Sequence, residues 1–328
     1  MEKVATREAY GDVLVELGTK NKDIVVLDAD ISVSTGTRKF AEKFPNRHFD
    51  FGVAEQNMMV AAAGLSLCGK IPIASTFAVF AIERTLNQIR QSIAYPNLNV
   101  KIVATHGGIS VGADGASHQT TTDIAIMRTM PNMTVIVPAD AIETKVAVRA
   151  AVDYKGPVYV RLGRPPVPLV YEEGYRHCGN PLRFEIGRAV TLRDGKDVTV
   201  IATGIMVAEA LAAAEILTKK EIDARVINVH TIKPLDEEVV MKAAGETRAI
   251  VTAEEHSILG GLGGAIAEIL VEHFPVPVVR VGVKDKFGES GSAEELIKKY
   301  GLTAMDIVNA AQNVVQKKNR STGDENQV

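Results

Sequence analysis

Short apolar runs recur along the chain: IVVLDAD from residue 24, IPIAS from 71, VKIVAT from 100, TVIVPAD from 134 and VYVRL from 158. Each is short and uninterrupted rather than alternating, which is how a strand reads when helices bury both of its faces. Between the runs lie stretches with helical spacing, around Arg7 to Leu17, Ala54 to Leu67, Phe77 to Ile93 and Ala141 to Val152. The last of these is preceded by PAD, with Asp140 in position to cap the free N–H groups of its first turn. Residues 1–165 therefore read as one β-α series. The period lapses in RPPVPLVYEEGYRHCGNP, a stretch dense in Pro, Gly and charge, so 166–189 is taken as a linker.

A second β-α series follows over 190–316. It comprises DVTVIAT from residue 197, a helix from Val207 to Thr218, the strands ARVINVH and AIVTAEE, a helix after GGLGGAI, and the strand VPVVRVG. The fold class expected is α/β: a parallel sheet flanked by helices, then a smaller α/β domain. The tail KKNRSTGDENQV, residues 317–328, lacks apolar anchors and is expected to be disordered.

With 328 residues, 46% of them apolar, the chain has ample material for buried cores. Its net charge of -3 is spread over both signs, which leaves no basic face for a nucleic-acid backbone. No apolar stretch approaches the roughly 20 residues that span a bilayer. The start MEKVATREAYGD lacks the apolar core of a signal peptide, and a cytoplasmic protein with no membrane contact is expected. Cys68 and Cys178 stand far apart without a CxxC spacing, so neither a disulfide framework nor a zinc site is indicated, and no metal ligand set is assigned to this chain.

Polar residues gather where the first series of strands ends, the place where open α/β sheets bind ligands. The segments are DADISVS from residue 28, FGVAEQNM from 51, STFAVF from 75 and ATHGGISVGADGASHQ from 104. Glu55 sits between a strand-like HFDFG and an apolar helix. A carboxyl desolvated there would hold its proton and donate it to a ligand nitrogen; equally, a helix-start Glu serves the macrodipole. His106 and His118 lie in a glycine-rich loop and could face a common cleft, shuttling protons near neutral pH, or remain solvated. Phe77 and Phe80, three apart, suit a core as well as a ring pocket. Arg161 and Arg164 in VRLGRPP are candidates for gripping an anionic group. GGLGGAI lacks the Lys-Ser/Thr of a phosphate loop and reads as close helix packing.

In this order, the segments resemble the pyrimidine-binding domain of transketolases, and the second series resembles the transketolase C-terminal domain. FGVAEQNM and VGADGASHQ carry most of the likeness, which covers residues 1 to about 315. The resemblance implies thiamine diphosphate with Mg2+ as cofactors. Glu55 would hydrogen-bond N1' of the aminopyrimidine and promote the imino tautomer that takes the thiazolium C2 proton, while Phe77 and Phe80 would hold the ring and Asp30 the cofactor nearby. His118 would lie beside the reacting carbons, Asp114 would bind a donor hydroxyl, and Arg7, Ser34, His106 and Arg164 would grip the sugar phosphate.

Two departures stand out. The family's diphosphate and metal motif, GDG followed further on by Asn, is absent, so the chain is expected to act as the C-terminal subunit of a split transketolase. It would pair with an N-terminal subunit carrying that motif, self-associating as α2β2, in the pentose phosphate pathway. Where the family has a third ring after Phe80, this chain has Glu83 and Arg84. Rival readings are a deoxyxylulose-phosphate synthase, a 2-oxoacid dehydrogenase β subunit and a catalytically silent regulatory subunit.

Overall fold

The computed structural model describes residues 2–324, with side chains as far as Asn319. The first half contributes the strands β1 (Ile24–Asp28), β2 (His48–Asp50), β3 (Ile71–Phe77), β4 (Lys101–Thr105), β5 (Thr134–Ile136) and β6 (Val158–Arg161). They run parallel in the order β5-β6-β4-β3-β1-β2. Successive residues of β1 feed opposite cores: Val25 and Leu27 join one apolar cluster, Ile24 and Val26 another. That double burial explains why the run does not alternate in polarity. The order reverses beside β1, whose neighbours are β2 on one side and β3 on the other, and this opens a crevice at the carboxyl ends of β1 and β3.

The second half supplies β7 (Val190–Arg193), β8 (Val198–Ala202), β9 (Ala224–Asn228), β10 (Thr231–Lys233), β11 (Ile250–Ser257) and β12 (Val278–Val283). All but β10 form a second sheet in the order β7-β9-β8-β11-β12, parallel except for the edge strand β7. β10 crosses over and pairs antiparallel with β5, becoming the seventh strand of the first sheet. Ile201, Ile227, Val229 and Ile232 share a buried cluster with Met127, Met130 and Val135, so one continuous core joins the two halves. At about 1.5–3 kcal/mol for each large side chain buried, this junction is a major source of stability.

The segment after residue 165 connects the sheets but is closely packed. Pro166–Pro168 pairs antiparallel with Lys3–Ala5, and Tyr171 and Tyr175 are buried. Asp140 caps its helix as expected, Oδ1 accepting from Glu143 N at 2.8 Å, and Oδ2 also accepts from the backbone of Val170 and Tyr171 at 2.7 and 2.9 Å.

Two expected elements differ. The helix read from Phe77 to Ile93 is broken into Ala78–Glu83, Leu86–Gln88 and a π turn Ile89–Ala94. The Thr85 hydroxyl bonds the Ala81 carbonyl, a local competitor for the helical hydrogen bond that bends the chain there. The tail expected to be disordered from Lys317 instead continues the helix Ala304–Asp324. Ile307, Val308, Ala311 and Val314 anchor that helix in the core, and each further polar residue is then added to an existing ladder. Residues 325–328 lie outside the described residues. Among the described residues, no helix is long and apolar enough to cross a membrane.

Candidate active site

Four rings converge at the crevice. Phe77 ends β3, and Phe80 follows one helical turn later with its ring 5.7 Å away and nearly parallel. His106 follows β4 directly and stacks on Phe77 at 3.8 Å. Its backbone takes a left-handed φ of 60°, a conformation uncommon among non-glycine residues, and its Nδ1 lies 2.9 Å from the Thr105 hydroxyl. His118, at the end of a 3-10 turn, presents an edge to Phe80 at 5.4 Å and to Phe77 at 6.4 Å. Burial first, then the charges of Arg7, Arg164 and His118, push the His106 imidazole down to about 3, so it is neutral at ordinary pH.

Glu55 opens the helix Glu55–Leu67 with its side chain only 6% exposed. The carboxyl is desolvated, as one of the two readings of this position expects, and it is met by a cation. Arg84 Nη1 reaches Oε1 at 3.0 Å and Oε2 at 3.3 Å, and its guanidinium lies 4.3 Å over the Phe80 ring. An opposite charge at this distance offsets part of the cost of burying the carboxylate.

The expected substrate-binding residues form a connected rim. Arg7 donates to the carbonyls of Ser34 at 3.0 Å and Arg164 at 3.3 Å, and Arg164 donates to the Val111 carbonyl and, at 3.3 Å, to the Asp114 carboxylate. The loop bearing Ser34 is tied to buried Asp28, which accepts from Ile31 N, Thr35 and Thr37 at 2.8, 2.9 and 2.8 Å. The glycine loop is held by Gln119, whose side-chain amide donates to Ile109 and Gly112 and, in the second half, to Glu289 at 3.0 Å. Gly108 has φ 88° and presses on Glu255 so closely that a Cβ would stand 2.2 Å from its carboxyl carbon. Only glycine can occupy that place.

Other candidates are placed elsewhere. Arg161 is buried, donating to Asp123 at 2.7 Å and to the Glu255 carbonyl at 2.9 Å, so it cements the two halves. Asp30 is exposed at the end of β1, its N–H bound to Asp50. Glu83 lies at the surface, its carboxyl raised by partial desolvation and by the charge of Asp123. The GGLGGAI turn packs tightly as expected: Glu254 accepts from Leu262 N and Gly263 N at 2.7 and 2.8 Å, filling the places a phosphate would take.

Sequence reasoning misses the roles of Asp28, Gln119 and Arg84. For Asp28 a signal exists in the threonines of DADISVSTGT. For Arg84 there is none, because Glu55 is 29 positions away, and for Gln119 the bond that ties the loop to the second half goes to Glu289, 170 positions away.

A parallel α/β domain with rings and a buried carboxylate at its switch point, followed by a second parallel domain, is the build of a pyrimidine-binding α/β chain. Residues 2–168 match the family model described as transketolase, pyrimidine binding domain, and residues 187–307 the one described as transketolase, C-terminal domain. The chain belongs to the transketolase family. A solved structure described as a split gene transketolase, inactive beta4 tetramer, is 55% identical with a TM-score of 0.88, covering 96% of this chain and 99% of that one. A 6-deoxy-6-sulfo-D-fructose transketolase subunit of Clostridium sp. (strain MSTE9) is 46% identical over 97% of each chain. One of the subunits of an apulose-4-phosphate transketolase from Phocaeicola vulgatus is 41% identical over 96% of this chain and 98% of its own. The family uses thiamine diphosphate, and the flat rings around one buried carboxylate fit the pyrimidine half of that cofactor.

Proposed function

We propose that this chain is the C-terminal subunit of a split transketolase, moving a two-carbon ketol unit from a ketose phosphate to an aldose phosphate. It works only with an N-terminal subunit that supplies the diphosphate and Mg2+ ligands, in an α2β2 assembly. The convergence of Phe77, Phe80, His106 and His118 beside Glu55 carries the reading. The description of the 55% identical relative as a split gene product, inactive as a beta4 tetramer, and the subunit names of two others support a second chain.

In the bound state thiamine diphosphate supplies the nucleophilic carbon and the electron sink for the two-carbon unit. Glu55 is the residue that would hydrogen-bond the pyrimidine ring nitrogen, with Phe77 and Phe80 against its flat faces. His106, kept neutral, can donate or accept a hydrogen bond at a sugar oxygen, and His118 stands ready for proton transfer across the same rings. Arg7 and Arg164 bring two fixed guanidinium groups to the rim, a fit for a terminal anion. The relatives named for sulfofructose and apulose 4-phosphate also handle sugars ending in an anion, so the sugar itself is the open variable.

The test is ketol transfer from xylulose 5-phosphate to ribose 5-phosphate with thiamine diphosphate and Mg2+, using this chain alone and then with its partner subunit. Turnover only in the complex is expected. A stable complex that ignores ketose phosphates but consumes pyruvate would replace this reading with the deoxyxylulose or 2-oxoacid one.

A further inference from the structure

Arg84 occupies a telling place. With Glu83 it occupies the stretch where the likeness to transketolases leads one to expect a third ring, and its guanidinium carbon stands 4.3 Å over the centre of the Phe80 ring while its Nη1 donates to both oxygens of Glu55. A flat, nitrogen-bearing group that stacks on this ring and hydrogen-bonds this carboxylate has the recognition chemistry of an aminopyrimidine. Arg84 and such a ring would make the same two contacts, so they compete for them.

The local backbone suits an exchange. The Arg84 carbonyl is pinned by the Gln56 side-chain amide at 2.9 Å, and the helix before it ends at Glu83. Its side chain is 48% exposed, against 6% for that of Glu55. The backbone is therefore anchored while the long side chain has solvent to move into, and the carboxylate it leaves cannot turn to water. Arg84 leaves only when another donor replaces it, because an unpaired buried carboxylate is strongly unfavourable.

We infer that Arg84 is an affinity-determining residue of the ring site: an internal stand-in that seats the Glu55 carboxylate and is displaced when the cofactor's pyrimidine enters. This rests on the assignment of the ring site to thiamine diphosphate. The stand-in keeps the buried acid compensated in the unliganded subunit, and it lowers the apparent cofactor affinity, because the Arg84–Glu55 contact must be given up as the ring takes its place.

The experiment is calorimetric titration of thiamine diphosphate with Mg2+ into the two-subunit complex, comparing the native chain with Arg84→Ala and Arg84→Gln. Binding about 5- to 10-fold tighter in both variants is expected. Melting temperatures supply the second readout: the variants should melt below the native complex without cofactor and level with it at saturation. Equal affinity with an equal drop in both states would make Arg84 a structural partner of Glu55 and overturn the inference, as would weaker binding. If one variant fails to fold, the other carries the test. No binding by the native complex would sink the assignment of the cofactor itself, whereas binding unaffected by Arg84 would remove only its role as a stand-in.

Discussion

Glu55 and Glu254 are both buried glutamates set against the first turn of a helix beside a parallel sheet, yet they are spent differently. Glu254 is wholly buried and accepts from the backbone N–H groups of Leu262 and Gly263, and the glycines around it fit so closely that a Cβ at Gly261 would stand 2.0 Å from its Oε2. Burial holds its carboxyl above the ordinary range, with the neighbouring His256 opposing. Among the described residues, Glu55 has instead one half-exposed arginine as its partner. The difference teaches that burial of an acid does not by itself mark a site. What separates the two acids is the partner: backbone N–H groups locked in a helix turn for Glu254, a half-exposed side chain for Glu55.

Breaking each acid should separate the two roles. The largest effect is expected for Glu55→Gln in the complex, where ketol transfer should drop by about 10²–10⁴-fold with little change in melting, since a proton-handling group is lost from a fold that does not depend on it. Wild-type turnover in this variant would end the catalytic assignment. Glu254→Ala should do the reverse, lowering stability by about 2–4 kcal/mol in denaturant titration because two N–H groups are orphaned, with turnover per folded molecule retained.

The smallest effect sharpens the comparison through pH. His106 at the rings and His230, stacked on Phe184 at 4.1 Å, are both pushed down to about 3, chiefly by burial. An unfolded imidazole takes a proton near 6.5, whereas the folded ones stay neutral until about 3. Their contribution is complete above pH 6.5 and is lost as pH falls towards 3, by at most about 1.4 kcal/mol per pH unit for each group. Urea midpoints at pH 7, 6 and 5 should show this slope. His230→Gln should flatten it without touching turnover, and His106→Asn should flatten it while slowing turnover; an unchanged slope in both would refute the account.

The strand runs were legible because parallel strands buried on both faces leave an unbroken apolar signature, as in β1 and β4. The edge strands β7 and β10 were not, since they are short and β10 takes its partner from the other half of the chain. Glu55, the two phenylalanines and the two histidines were legible as a set from their positions at strand ends and from the family likeness. Arg161 misled, because an arginine at a strand end resembles an anion ligand until Asp123 is found folded against it from 38 positions away. Arg84 escaped for the converse reason: a helix period runs in the sequence straight through the Thr85 break that turns it towards Glu55.

The crossing of β10 has a practical consequence. A sheet edge with unpaired N–H and C=O groups is a template for stray strands, and here β5 is covered by a strand grown from the far half of the same polypeptide. The sheet thus ends on a strand of only three residues, a short template for a stray partner. A fragment ending near residue 186 would expose that edge, so dissecting the protein at the apparent linker is a recipe for insoluble material, and any engineered version should keep both halves in one chain.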